Sequence, residues 1–362
     1  MDEAVHESGL IERLGEGAHG YFAGGAGDEI TLRDNEASWS RLALLPRVLV
    51  DVGERDLSVP LLGGELPHPV IVAPMAYQKH AHDDGESALA RAAAATDSTF
   101  VLSSQTTTSP ADVAAAAPEA RRWFQLYVFR DRQVSLDLVA EAREHGYEAL
   151  VITVDFPLGG WRERDRRTGF KVEHPVAVNP AGPPMSTEEL FAQHDPTLDW
   201  DDIAEFADAA GMPLMLKGIL SPDDAQRAAS AGAAAIIVSN HGGRQLDTVL
   251  SGADALPPIV DAVGGRIDLL VDGGIRRGWD VAKALALGAD AVLVGRPLLW
   301  GLAREGQAGA EADAAAARRV RLDPGSARLP SRAGPRPVVR HSRPVVTRQA
   351  VCSKASLCSA IQ

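Results

Sequence analysis

Short, continuously apolar runs alternate with alanine-rich amphipathic stretches through the middle of the chain. The runs begin near Val70 (VIVAP), Thr99 (TFVLSS), Trp123 (WFQLYV), Ala149 (ALVITVD), Pro213 (PLMLKG), Ala234 (AAIIVSN), Asp268 (DLLVDGG) and Asp290 (DAVLVGR). They are apolar throughout rather than alternating, as expected of parallel strands covered on both faces. Helical patterns lie between them at 85–95, 131–145, 200–210, 221–231, 253–263 and 278–288. Several open on a capping residue, such as Ser221 followed by Pro222. Successive runs start 29, 24, 26, 64, 21, 34 and 22 residues apart, mostly the length of one strand plus one helix. Eight such units predict an α/β fold, a TIM (β/α)8 barrel over residues 66–317. A doubly wound sheet is the competing arrangement. Against it, no GxGxxG follows the first strand, and polar residues stand at the C-terminal end of nearly every run rather than at one switch point.

The 64-residue gap holds an insertion after strand 4, about 165–199, rich in Pro and charge, which reads as a lid over the barrel mouth. Residues 1–65 predict an N-terminal cover of one or two helices and a short β hairpin, expected over the closed end. A helix should follow the eighth strand, yet beyond about Ala317 the chain turns Arg/Pro/Ser-rich without periodicity. The segment 318–362 reads as a frameshifted or foreign extension; the alternative is a natural basic tail for an acidic partner. Disorder is expected there, and with it a barrel lacking a proper eighth helix.

Charge sharpens this division. The tail carries a surplus of nine positive charges, so the 317 residues before it sum to −22 rather than the overall −13. So acidic a body is a poor general ligand for nucleic acid. No apolar run is long enough to span a membrane, and the acidic start MDEAVHESGL is unlike a secretory signal. The only cysteines, Cys352 and Cys358, lie in the tail, which excludes a disulfide framework or a cysteine-built metal site in the body. A cytoplasmic protein without a metal is expected.

The segment SNHGGRQLD, 239–247, follows strand 6 directly. His241 can take a proton near neutral pH, Gly242 and Gly243 allow a tight turn, and Arg244 can present a fork to a carboxylate. A lone histidine would more simply be a packed structural residue; His, paired Gly and Arg together at a strand end point to chemistry instead.

SNHGGRQLD resembles the active-site signature of the FMN-dependent 2-hydroxy-acid oxidase/dehydrogenase family. GAGDE (25–29), VAPMAYQ (72–78), QLY (125–127), TVD (153–155), LKG (216–218), VDGGIRRG (271–278) and LVGRP (293–297) agree with it in order and spacing, from about residue 10 to 305. The resemblance implies a TIM barrel, bound FMN, a small 2-hydroxy acid as substrate and a homo-oligomer, a tetramer in the family. It makes His241 the base that takes the hydroxyl proton, oriented by Asp155, with Tyr127 beside it. Arg162 and Arg244 resemble the pair that holds the substrate carboxylate, and Tyr21 and Tyr127 the phenols that bond the substrate. For the flavin, Lys217 resembles the lysine near N1–O2. Ser103, Gln125, Thr153 and Ser239 resemble polar contacts, and Ala73, Pro74, Met75 and Ala76 the stretch along the ring. Asp272, Gly273, Gly274, Arg276, Gly295 and Arg296 resemble the phosphate end.

Two positions depart from small-substrate members: Gln105 replaces a tryptophan, and Gly159 a commonly found leucine. Both imply a roomier pocket for an aryl or extended 2-hydroxy acid such as mandelate or 4-hydroxymandelate, and Tyr77, Gln78 and FAGGAG also resemble the hydroxymandelate branch. Without a haem domain or a membrane-binding insertion, oxygen is the expected electron acceptor. Two alternatives share the glycine-rich phosphate end: another FMN barrel of the type 2 isopentenyl-diphosphate isomerase kind, which lacks the His241–Arg244 pair, and a non-catalytic flavin-binding relative.

Overall fold

The computed structural model describes residues 9–45, 49, 56–180, 182–318 and the pair 340–341. Eight parallel strands close into a barrel: β1 (Val70–Val72), β2 (Thr99–Ser103), β3 (Arg122–Leu126), β4 (Leu150–Thr153), β5 (Leu214–Ile219), β6 (Ala235–Val238), β7 (Asp268–Val271) and β8 (Ala291–Val294). Closure is made by β8 against β1, with Val292, Leu293 and Val294 opposite Val70, Ile71 and Val72. The fold is the TIM barrel that the spacing predicts. Each strand forms where an apolar run begins, because its apolar side chains are buried, inside the barrel or under a helix. The six expected helices form at Gly85–Ala95, Arg132–Glu144, Trp200–Ala210, Pro222–Ser230, Gly252–Val263 and Gly278–Leu287. Their alanines, such as Ala88, Ala225 and Ala255, are buried against the strands. A further helix, Pro110–Ala116, is capped by Ser109, whose Oγ accepts from Asp112 N at 3.1 Å.

The eighth helix is present, contrary to the expectation from the tail. It runs Arg296–Arg318, broken at Glu305–Gly306, and ends where the Arg/Pro-rich segment begins. Leu298, Leu299, Trp300, Leu302, Ala310, Ala314 and Ala317 form its buried face. Arg91 of the first barrel helix donates to Gln307 Oε1 at 2.7 Å, which ties the two helices over β8 and β1. The expected disorder of 318–362 falls outside the described residues, apart from Arg340–His341, which pairs antiparallel with Leu42–Ala43.

The N-terminal cover divides between the two ends of the barrel. A hairpin, Val59–Leu61 with Gly64–Leu66, plugs the closed end, its Val59, Leu61 and Leu66 packing with Val101, Trp123, Val151 and Met215 of the interior. The helices Leu10–Ala23 and Ile30–Ser40 instead lie at the open mouth, which corrects the expectation that they cover the closed end. There the loops after the strands offer backbone partners: Ala26 N donates to Gly243 O at 2.8 Å, Gly27 N to Trp161 O at 2.9 Å, and Trp39 Nε1 to Gly273 O at 2.8 Å.

The insertion between β4 and β5 contains two short helices, Glu163–Thr168 and Thr187–Phe191, and a two-residue hairpin, Lys171–Val172 with Met185–Ser186. Arg130 N donates to Gln193 O at 2.8 Å, and Arg132 bonds both Asp195 and Asp202, holding the end of the insertion to the loop after β3.

Candidate active site

One cleft opens at the mouth. His241 stands three residues past β6 with a left-handed backbone, φ 61°. That conformation is uncommon outside glycine and stores strain; the His241 N–H is held by donation to Ser239 Oγ at 3.0 Å. The turn sets the ring between two partners on other strand ends. Nδ1 lies 3.0 Å from Asp155 Oδ1, two residues past β4, and Nε2 lies 3.0 Å from the hydroxyl of Tyr127, the residue after β3. Burial pushes His241 below its ordinary value, against the pull of Asp155, and the Lys217 and Arg162 charges add to that fall. At neutral pH the imidazole is therefore uncharged and able to accept a proton. Burial alone would raise Asp155, but the imidazole and Lys217 outweigh it and hold the carboxyl below its usual range. Asp155 Oδ2 is buried without a hydrogen-bond partner. Burial and the Asp155 charge raise Tyr127, which stays a neutral phenol.

Arg162 and Arg244 meet on the same cleft, with guanidinium carbons 5.9 and 4.9 Å from the centre of the Tyr21 ring. Arg162 Nε donates to Arg244 O at 3.1 Å, and Arg244 Nη1 donates to Tyr21 O at 2.6 Å and Gly24 O at 2.8 Å. Burial, with the like charge of Arg244 beside it, pulls Arg162 down to about 10. The nearest carboxylate, Asp165, stays 3.9 Å from Arg162 Nη1. A buried Arg162 and a half-buried Arg244, with one loosely placed acid, form a site that gains from an added anion.

The rest of the cleft is elongated. Ala73, Pro74, Met75 and Ala76 form one wall; Thr153, Lys217 and Asp272 line it at the strand ends; Gly273, Gly274, Arg276, Gly295 and Arg296 line the far end. Lys217 Nζ donates to Ser239 Oγ at 2.9 Å and lies 3.1 Å from Asp272 Oδ2, while Asp272 Oδ1 is buried without a partner. Ser103, Gln125 and Ser239 stand behind the wall. Ser103 Oγ donates to Gln125 Oε1 at 2.8 Å, and Gln125 Nε2 to Thr153 Oγ1 at 2.9 Å. Gly274 (φ 75°) permits a backbone approach that a side chain would forbid, since a Cβ there would lie 1.9 Å from Asn35 O. Arg276 Nη2 donates to Glu36 Oε1 at 2.8 Å, and Arg296 donates to the carbonyls of Phe22, Gly24 and Gly242.

Gln105 lines the cleft, but Gly159 does not. The room that Gly159 leaves is taken by Phe191, whose Cδ2 would lie 2.4 Å from a Cβ at that position. Sequence reading missed Phe156, Phe191 and His194, which complete the wall beside Tyr127. His194 stacks on Tyr127 with ring centroids 4.9 Å apart, and Phe156 meets both edge-on. No motif marks them, because Phe191 and His194 lie in the Pro-rich insertion.

Among the described residues no helix is long and apolar enough to cross a membrane, and no group of three His, Cys, Asp or Glu is placed to hold a metal. The profile of the family described as FMN-dependent dehydrogenase matches residues 11–317. An L-lactate oxidase of Nostoc sp. is 48% identical over 82% of this chain and 85% of its own length. The 2-hydroxyacid oxidase 1 of Homo sapiens is 44% identical over 80% of this chain and 82% of its own length. A mandelate oxidase crystallised with (S)-4-hydroxymandelic acid superposes with a TM-score of 0.82, at 38% identity over 90% of this chain and 95% of that one. The matched range includes the His241–Arg244 segment as well as the glycine-rich residues 273–274. The chain belongs to the FMN-dependent dehydrogenase family and is a flavin-dependent 2-hydroxy-acid oxidase.

Proposed function

We propose that this chain oxidises a bulky or aryl (S)-2-hydroxy acid of the mandelate type to the 2-oxo acid and passes the electrons to dioxygen. The observation that carries the reading is the hydrogen-bonded line Asp155–His241–Tyr127 in one cleft with Arg162 and Arg244. The rest of the cleft suits FMN: Lys217 offers it a cation, and Gly273, Gly274, Arg276 and Arg296 line it together, where a phosphate suits them.

Arg162 and Arg244 clamp the substrate carboxylate, fixing the Cα carbon in place. Neutral His241 takes the hydroxyl proton at Nε2, and Asp155 stabilises the imidazolium that forms. Tyr127, uncharged, donates a hydrogen bond to the same hydroxyl oxygen. FMN, when bound, supplies the two-electron acceptor, so the Cα hydrogen departs with its electron pair as C–O becomes C=O. Lys217 adds positive charge where the reduced cofactor would gain negative charge.

The aryl preference rests on Gln105 and on the aromatic wall of Tyr127, Phe156 and Phe191. The mandelate oxidases among the structural neighbours support it. Dioxygen as acceptor draws on the relatives, which are named oxidases. The test is anaerobic flavin bleaching by (S)-mandelate, (S)-lactate and glycolate, followed by an oxygen-consumption trace. Fastest bleaching by mandelate, then oxygen uptake on readmission of air, is expected. Faster bleaching by lactate or glycolate sinks the aryl reading, and a bleached flavin that air does not restore sinks the acceptor.

A further inference from the structure

In the segment SNHGGRQLD, His241 and Arg244 line the cleft, whereas Gln245 and Asp247 do not. Asp247 is spent on the start of an N-terminal helix, its Oδ1 accepting from Thr31 N at 2.7 Å and its Oδ2 from Ile30 N at 3.2 Å. Gln245 is spent on the loop after β4. Its Nε2 donates to Asp155 O at 3.1 Å and to Leu158 O at 3.0 Å. Its Oε1 accepts from Gly160 N at 3.1 Å and from Arg162 Nη2 at 3.4 Å. Two carbonyls on one side and two N–H groups on the other fix which way the amide points. All four partners lie within residues 155–162, a stretch that begins with Asp155 and ends with Arg162.

Those residues belong to no helix or strand, so bonds to a neighbouring loop, rather than a regular ladder, place the two ends. The neighbour is the loop after β6. The two loops meet backbone to backbone at Gly160, where a Cβ would lie 2.3 Å from Arg244 O and 2.6 Å from Gln245 O. Arg162 Nε adds a bond to Arg244 O at 3.1 Å. A primary amide has two donors and an oxygen that accepts twice, and here all are used. A glutamate would set a carboxylate against two carbonyls; a leucine would meet none of the four groups. We infer that Gln245 is a positioning residue for the reaction. Its one amide sets both the carboxylate that orients the base and the guanidinium that holds the substrate, relative to the segment that carries His241 and Arg244. The inference rests on the roles given above to His241, Asp155 and Arg162.

The test is anaerobic stopped flow across pH on the FMN-loaded enzyme, with whichever of (S)-mandelate, (S)-lactate and glycolate bleaches the wild-type flavin fastest. One titration yields the limiting rate of flavin reduction and the Kd of the acid. Asp155, Lys217, Arg162, Tyr127 and His194 face His241. Asp155 strengthens its hold on a proton, Lys217 and Arg162 weaken it, and Asp155 has the largest influence of the three. Gln245→Leu is therefore expected to move the acid limb of the limiting rate to lower pH, by less than Asp155→Asn moves it. The limiting rate at neutral pH should fall about tenfold, and the Kd should rise about tenfold. In the Asp155→Asn background the same change should raise the Kd again but leave the limb where Asp155→Asn has put it. A merely structural role would lower the thermal midpoint and FMN retention without moving limb or Kd. Either reading at its wild-type value in Gln245→Leu, or a limb that moves further in the Asp155→Asn background, overturns the inference. Gln245→Met, equal in length, gives the same readings should the leucine variant not fold. Asp155→Asn leaving the limb in place, or a wild-type flavin that none of the three acids bleaches, overturns the roles given above and this inference with them.

Discussion

The two ends of this barrel are built from the same eight strands and have opposite chemistry. At the closed end, Val59, Leu61 and Leu66 of the hairpin complete a dry interior with Val101, Trp123, Val151 and Met215. The acid there, Asp268, spends its Oδ2 on the N–H of Leu62 at 2.7 Å. At the mouth, Asp155 Oδ2, Asp272 Oδ1 and His194 Nδ1 are buried without a hydrogen bond, and two arginines lie side by side. The closed end is an apolar plug; the mouth leaves buried polar atoms for a ligand to meet. The contrast teaches that stability and activity are separable along the barrel axis, as the parallel-barrel architecture allows.

Mutating each end in turn puts that separation under strain. The largest effect is expected from His241→Ala, which removes the base. The protein should stay yellow while the rate of flavin reduction by substrate falls about 10³-fold, within the range for a lost general base. A near-normal rate in stopped flow would falsify the assignment. Next is Leu61→Ala at the closed end, expected to cost about 3 kcal/mol of stability through the cavity it leaves, read as a lower denaturant midpoint with kcat unchanged. A fall in kcat as well would mean that the ends are coupled.

Asp155→Asn should lower kcat/KM about 100-fold, since it removes the charge that stabilises the imidazolium. It also changes the pH profile in a defined direction. In the wild type, activity rises with pH as His241 loses its proton, and is complete by neutral pH because His241 is depressed. Asp155 is the partner that raises His241, so without it the acid limb moves to lower pH. A limb that moved up would contradict the geometry.

The smallest effect concerns acid stability. Burial, with a neighbouring histidine, holds His194 at about 3 and His80 at about 4. Both are neutral in the fold where the unfolded chain takes up protons from about pH 6.5 downward. Their contribution is therefore complete above that pH and is lost as pH falls toward the folded values. His194→Gln should flatten the decline in unfolding free energy between pH 6 and 4 by about 1–2 kcal/mol; an unchanged slope would show that His194 charges without unfolding the site.

Much of this was legible in the chain. Continuous apolar runs located all eight strands, because a barrel strand buries both faces. The segments at 153–155, 216–218, 239–247 and 271–278 carried the polar residues that now face one cleft, because those residues stand at the ends of neighbouring strands. What failed was docking. Local pattern gave helices before residue 45 but not the end of the barrel they cover, since that depends on carbonyls such as Tyr21 O and Gly243 O meeting partners more than 200 residues away. The aperiodic Arg/Pro-rich segment after Ala317 masks the eighth helix, although Leu298–Ala317 has an apolar face. Gly159 looked like added room because no sequence rule shows that Phe191 swings into it. His194 lay in a stretch of Pro and Asp with nothing beside it to mark it out.

The bonds from Arg244 to Tyr21 O and Gly24 O also order events during synthesis. Residues 21–24 leave the ribosome about 220 residues ahead of the guanidinium that will fasten them, a wait of roughly 10–40 s at ordinary elongation speeds. A helix made early thus docks late, and the cleft stays unfinished until Arg296 has also emerged.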